Sequence, residues 1–177
     1  MPAASGIAVI PSGAPLGAAS VGVDLAEEMD DQPFRAIEAA DNAHLVIVFR
    51  NQPLTPAPPL RLARRFGTLE ISPRPQWALP GDPEILRLSN ILDAKGQPIG
   101  NAETGRTWHT ALSYTATPPR GSLLCAVEGP THTHGEALGD TLCVSTAAAY
   151  DALPAARHQP LHGLRARHRE VQGWWRE

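Results

Sequence analysis

The stretch T107-WHTALSYTATPPRGSLLCAVE-128 decides how this chain is read. Trp108-His109-Thr110-Ala111-Leu112 alternates as a half-buried β-strand does, so positions 109 and 111 are expected on one face. A Pro-Pro-Arg-Gly turn then leads into a second run, Gly121–Glu128. Here Leu123 and Cys125 share one face and Leu124 and Ala126 the other. A third run, D140-TLCVST-146, completes a strand trio.

Upstream, the pattern is more helical. "DDQPFRAIEAADN" reads as a short helix with Asp30 or Asp31 as cap, Pro33 in its first turn, and Phe34 and Ile37 on one face. "HLVIVFRNQ" is an apolar β-branched run, hence a buried strand, and "EILRLSN" is another. "GIAVIPSGAPLGAASVGVDL" reads as an opening strand and turn. "LTPAPPLRLARRFGTLE" predicts a helix with Thr55 as N-cap, Pro56 at its first position and Gly67 at its end. Pro59 complicates it by removing an early donor. After the trio, "STAAAYDAL" and "PAARHQPLHGL" predict helices, with Pro160 expected to break or kink the second. Helices early and strands late point to an α+β domain around a sandwich or barrel.

Composition limits the function classes. A chain of 177 residues with net charge −3 supports one domain and gives no basic footprint for nucleic acid or an anionic membrane. Its 18 prolines exceed the usual ~5 % and are scattered, which predicts many turns. No window is apolar enough to span a bilayer, and the start has no basic n-region of a signal peptide. Cys125 and Cys143 are not at metal spacing and read as buried, reduced thiols of a cytoplasmic protein.

The runs "VGVDL", "LVIVFRNQPLTP", "LARRFGTLEISP", "LRLSNILDAKGQPIG", "WHTALSYTATPPRGSLL", "GDTLCVSTAAAYDALP" and "GLRARH" together resemble the taurine dioxygenase (TauD/TfdA-type) family of Fe(II)- and 2-oxoglutarate-dependent dioxygenases. The resemblance covers nearly the whole chain in the family's order. It implies a single TauD/TfdA-like domain over 1–177: an incomplete double-stranded β-helix (jelly roll) with flanking helices, lacking its C-terminal closing strands. It also implies Fe(II) and 2-oxoglutarate as cofactors, and hydroxylation of a small organic substrate coupled to decarboxylation of 2-oxoglutarate to succinate.

Such enzymes hold iron on one face with two imidazoles and a carboxylate. The resemblance places the first ligand at His109 and the carboxylate at position 111, which is Ala111. Thr141, in "GDT", matches the threonine that contacts 2-oxoglutarate. The second histidine and the arginine that grips the co-substrate fall beyond "GLRARH". Ser72 stands where taurine-specific members carry a histidine, which argues against taurine as substrate. The expectation is therefore a truncated family member, impaired or inactive alone, with His109 hydrogen-bonded in the core and Trp108 packed beside it.

Two alternatives stay open. One is a non-catalytic fragment that self-associates, or binds a full-length relative, through open sheet edges. The other is a halogenase-like enzyme, in which a halide fills the place left by Ala111. His132 and His134, in "GPTHTHGEALG", could reach a metal together but read as a solvated loop. His158, His162 and His168 lie in a basic surface with Arg157, Arg165, Arg167 and Arg169, and Pro160 is expected to spoil the spacing of the first two.

Overall fold

The computed structural model describes residues 6–52 and 55–169. Trp174 and Trp175, two large apolar residues near the terminus, lie outside them. The fold is mixed helix and strand, in two compact units.

Among the described residues, the first unit contains 6–52 and 125–165. Strands β1 (Ala8–Pro11) and β2 (Ala18–Val21) pair antiparallel, with Ala8 opposite Val21. Helix α1 (Asp31–His44) then carries the chain across to β3 (Ile47–Phe49), which pairs parallel with β2. A parallel pair needs such a crossover. Phe34, Ile37 and Ala40 recur at helical spacing and are buried, as the sequence pattern required. Burying a Phe or Ile side chain contributes about 1.5–3 kcal/mol each, enough to hold a helix of this length on a small sheet. Gln52 ties the chain after β3 to the stretch after β2. Its Nε2 donates to Val23 O at 2.9 Å, and its Oε1 accepts from Leu25 N at 2.8 Å.

Helices α3 (Thr146–Asp151) and α4 (Ala155–Leu161) also belong to this unit. Ser145 caps α3, accepting from Ala148 N at 3.1 Å. Pro160 lies inside α4, and the helix ends one residue later, with His162 at ψ 126°. The helix therefore runs through Pro160, which forgoes its own bond to residue 156, and ends before Gly163 at φ 80°.

Among the described residues, the second unit contains 55–124 and 166–169. Helix α2 (Ala57–Phe66) has Pro56, not the expected Thr55, at its N-cap position, with no side-chain cap bond, and ends at Gly67, φ 145°. Pro58 and Pro59 fall in its first turn, where a backbone N–H has no intrahelical partner, so Pro59 costs no hydrogen bond. Pro58, Leu60 and Leu62 are its buried residues. Strands β4 (Ala78–Leu79) and β5 (Asp82–Leu86) pair antiparallel. Beyond β5 the chain folds back on itself over residues 87–101. Asn101 N donates to Arg87 O at 2.9 Å and Ile99 N to Ile91 O at 3.2 Å, around a turn at Asp93–Gln97.

The strand trio is corrected. Among the described residues, 107–128 and 140–145 contain no strand. Residues 111–114 form a turn, with Leu112 at φ 48°. Residues 121–126 carry no regular hydrogen-bonding pattern. The alternation set which side chains would share a face. A strand, however, exists only when another strand takes its backbone donors and acceptors, and here none does. The apolar residues of these runs are accordingly exposed, Leu124 at 63 % and Val127 at 70 %.

Candidate functional site

The segment that carries His109 is anchored at its start by Asn101. This residue is buried, and its backbone closes the 87–101 hairpin. Its side chain shapes the next turn: Oδ1 accepts from Glu103 N at 3.0 Å, and Nδ2 donates to Thr104 Oγ1. Gly100, just before it, runs so close to Ser89 that an added Cβ would lie 2.9 Å from both Ser89 N and Ser89 Cβ.

His109 is exposed, not buried in a core. Its Nδ1 lies 2.7 Å from Thr107 O. A carbonyl can only accept, so Nδ1 bears the proton and Nε2 presents the lone pair. A metal-binding histidine is commonly oriented by such a backbone bond. Ala111, two residues on, opens the turn that Thr115 closes, its N and Oγ1 meeting Leu112 O at 3.0 and 2.9 Å. Position 111 thus has neither a donor atom nor the strand geometry expected of it. Trp108, expected in the core, is 67 % exposed.

The far end of that turn is held by a residue the sequence reading assigned to a basic surface. His168 Nδ1 meets Ser113 Oγ at 2.9 Å, across 55 positions of sequence. Nothing in local spacing announces such a contact. Asn101 was equally missed, although "NAET" carries the signal of an Asx turn.

Thr141 belongs to the first unit and His109 to the second. Thr141 is exposed in an irregular stretch. Ser72 Oγ accepts from Arg74 N at 3.2 Å, a local turn contact. Cys125 and Cys143 are free and exposed rather than buried, although partial burial still pushes the Cys125 thiol up from its ordinary range. His132 and His134 stand at the tip of a hairpin rather than in a loose loop.

Among the described residues, no three His, Cys, Asp or Glu side chains are grouped to hold a metal. The described donor set therefore does not fit an iron held by two imidazoles and a carboxylate. No helix among these residues is long and apolar enough to cross a membrane.

Comparison with known proteins adds identity to this geometry. Residues 8–175 match the model of the taurine catabolism dioxygenase TauD, TfdA family. The chain is 38 % identical over 170 residues to pentalenolactone F synthase of Streptomyces avermitilis, covering 92 % of this chain and 52 % of that protein. It is 35 % identical over 167 residues to the alpha-ketoglutarate-dependent 2,4-dichlorophenoxyacetate dioxygenase of Cupriavidus pinatubonensis, covering 87 % and 55 %. A crystal structure of a taurine dioxygenase from Burkholderia xenovorans superposes with a TM-score of 0.60 at 26 % identity, over 89 % of this chain and 51 % of that one. The chain thus spans about half the length of the curated relatives it matches.

Proposed function

The chain belongs to the TauD/TfdA dioxygenase family, and from that premise we propose that it forms one part of a 2-oxoglutarate-dependent dioxygenase and is inactive alone. Its relatives by name use alpha-ketoglutarate. The complete fold of the family is a jelly roll; on the resemblance alone, His109 is assigned as an imidazole ligand through Nε2, and Thr141, taken by itself, as a hydrogen-bond partner of 2-oxoglutarate. The substrate is a small organic molecule other than taurine, since Ser72 replaces the histidine that the resemblance assigns to taurine-specific members. The free thiols of Cys125 and Cys143 suit the reducing cytoplasm.

One observation carries the reading: the position to which the resemblance assigns the carboxylate is Ala111, and no three-donor group that could hold a metal includes His109 among the described residues. A divalent ion gives up hydration to bind, and a single neutral imidazole offers it no compensating charge. The test is succinate release from 2-oxoglutarate in air by the purified chain supplied with Fe(II), with and without chloride. No succinate above the protein-free rate is expected. Succinate formed by the unmodified chain would contradict the proposal. Succinate formed only with chloride would instead support a halogenase-like site with a halide beside Ala111.

A second reading rests on a different observation. Among the described residues, the backbone of 121–129 makes no hydrogen bond, and Leu124, Val127, Leu142 and Val144 are exposed. Unpaired backbone beside exposed apolar side chains recruits another chain. We propose that the chain self-associates through these segments.

A further inference from the structure

Two turns in this chain have one shape and different uses. In the first, Asp93 N donates to Gln97 O at 2.8 Å and Gly96 N to Asp93 O at 2.9 Å. In the second, His132 N donates to Glu136 O at 2.7 Å and Gly135 N to His132 O at 2.8 Å. Gly96 and Gly135 occupy the same position at φ 76° and 83°, the left-handed conformation that closes a three-residue hairpin loop. In the first turn the leading side chain serves the turn itself. Asp93 Oδ1 accepts from Lys95 N and Gln97 N, both at 2.8 Å.

The second turn has no such cap. His132 leads it, and His132 and His134 hold their imidazoles together at the exposed tip. The ring centroids are 5.8 Å apart and the planes 21° from parallel. The side-chain hydrogen-bond partner in the group is Thr133 Oγ1, 3.1 Å from His132 Nδ1. Glu136 sits directly opposite His132 in the closing pair, so its carboxylate is on the same side of the ribbon. The backbone is thus held tightly by its own bonds and by glycine, while two imidazoles and one carboxyl side chain are exposed to solvent.

We infer that the Pro130–Leu138 hairpin binds a divalent transition ion of the imidazole-preferring class, Cu(II), Ni(II) or Zn(II), between His132 and His134. Metal–nitrogen bonds of about 2.0–2.1 Å from two imidazoles to one ion put the ring centres roughly 5–6 Å apart. The observed separation falls in that range; the rings are stacked as they stand, so both must turn about χ1 and χ2 to bring a nitrogen onto one ion, a motion that exposed side chains make in picoseconds to nanoseconds. Because no third His, Cys, Asp or Glu joins them in a metal-holding group among the described residues, water fills the remaining positions and Glu136 contributes its charge nearby. His158, four residues before His162, is engaged elsewhere. His158 Nε2 lies 3.0 Å from Tyr150 O, and its ring stacks on Tyr150 at 4.7 Å. This inference is independent of the dioxygenase reading, because His109 takes no part in it.

The test is equilibrium dialysis of the chelator-stripped chain against Cu(II), Ni(II) and Zn(II), one ion at a time, at neutral pH. One ion per chain is expected, with Cu(II) the tightest. His132→Ala and His134→Ala should each weaken binding by about tenfold or more, while His158→Ala and His109→Ala leave it unchanged. In the unmodified chain, Cu(II) should broaden the ring proton signals of His132 and His134 before those of the other five histidines. This readout does not depend on any variant folding. Absence of saturable binding, binding indifferent to both hairpin variants, or broadening that begins elsewhere would each overturn the inference.

Discussion

The ring of His109 is turned back on its own main chain, Nδ1 donating to the carbonyl of Thr107 at 2.7 Å. That bond leaves Nε2 as the lone-pair nitrogen of the neutral ring. The imidazole is thus prepared as a ligand by a local bond that needs no other part of the protein. What it lacks is company. Ala111 contributes no oxygen, and among the described residues no three-donor group includes His109.

The hairpin that leads to His109 depends on a missing side chain at Gly100. A methyl group there would meet Ser89 at 2.9 Å and the Arg87 carbonyl at 3.0 Å, two of the three contacts being backbone atoms that cannot swing away. Gly100→Ala is expected to destabilise the chain by about 1–3 kcal/mol. Urea denaturation of the two proteins side by side checks this, and an unchanged midpoint would refute it.

Helix α3 is held at its start by one hydroxyl, Ser145 Oγ to Ala148 N at 3.1 Å. Ser145→Ala should cost about 1 kcal/mol and Ser145→Gly only a few tenths. Amide exchange within residues 146–151 should quicken in the alanine variant and scarcely change in the glycine one. Equal acceleration in both would show that the cap is not the cause.

Several elements were legible because their causes are local. The Phe34–Ile37 spacing, the Gly67 end of α2 and the helix that begins after Ser145 all act within a few residues, while the start of α2 lies one residue later than expected, with Pro56 rather than Thr55 at the cap position. The strand trio failed for the opposite reason. Its alternation is real, but pairing is decided by other segments, and among the described residues no strand lies beside Leu123 or Leu142. The grip of His168 on Ser113 and the place of Asn101 in its hairpin are likewise contacts at a distance. The family could be read despite this, because its motifs are sequence words whether or not the sheet they belong to is closed.

Self-association follows from the unpaired segment. If residues 121–129 pair with another copy, a Val127→Lys substitution places charge on the exposed run and blunts it, as edge lysines do in natural sheets. The unmodified chain is expected to elute above its monomer mass of 18.9 kDa in a concentration-dependent way, and the variant to shift toward monomer. A strictly monomeric unmodified chain would contradict this.

Glu84 should titrate below the ordinary carboxylate range. A backbone hydrogen bond lowers it first, and the Arg64 guanidinium at 3.1 Å lowers it further. A carboxylate whose pKa is depressed in the folded state supports the fold above its unfolded value, and that support is lost as pH falls through the folded value. Arg64→Ala should raise the Glu84 midpoint in a carboxyl-carbon NMR titration without fully restoring it, since the backbone bond remains. An unmoved midpoint would show that the ion pair is not formed in solution.

The central claim is that this chain presents one prepared imidazole and no carboxylate to iron. The most direct measurement is anaerobic equilibrium dialysis against Fe(II), comparing the chain with its Ala111→Asp variant, both carrying His132→Ala and His134→Ala so that the hairpin cannot contribute. The account predicts no stoichiometric binding with Ala111. It predicts binding at least about tenfold tighter once a carboxylate is introduced at that position, a gain of about 1.4 kcal/mol or more. Stoichiometric Fe(II) binding by the chain that retains Ala111, abolished by His109→Ala, would contradict it.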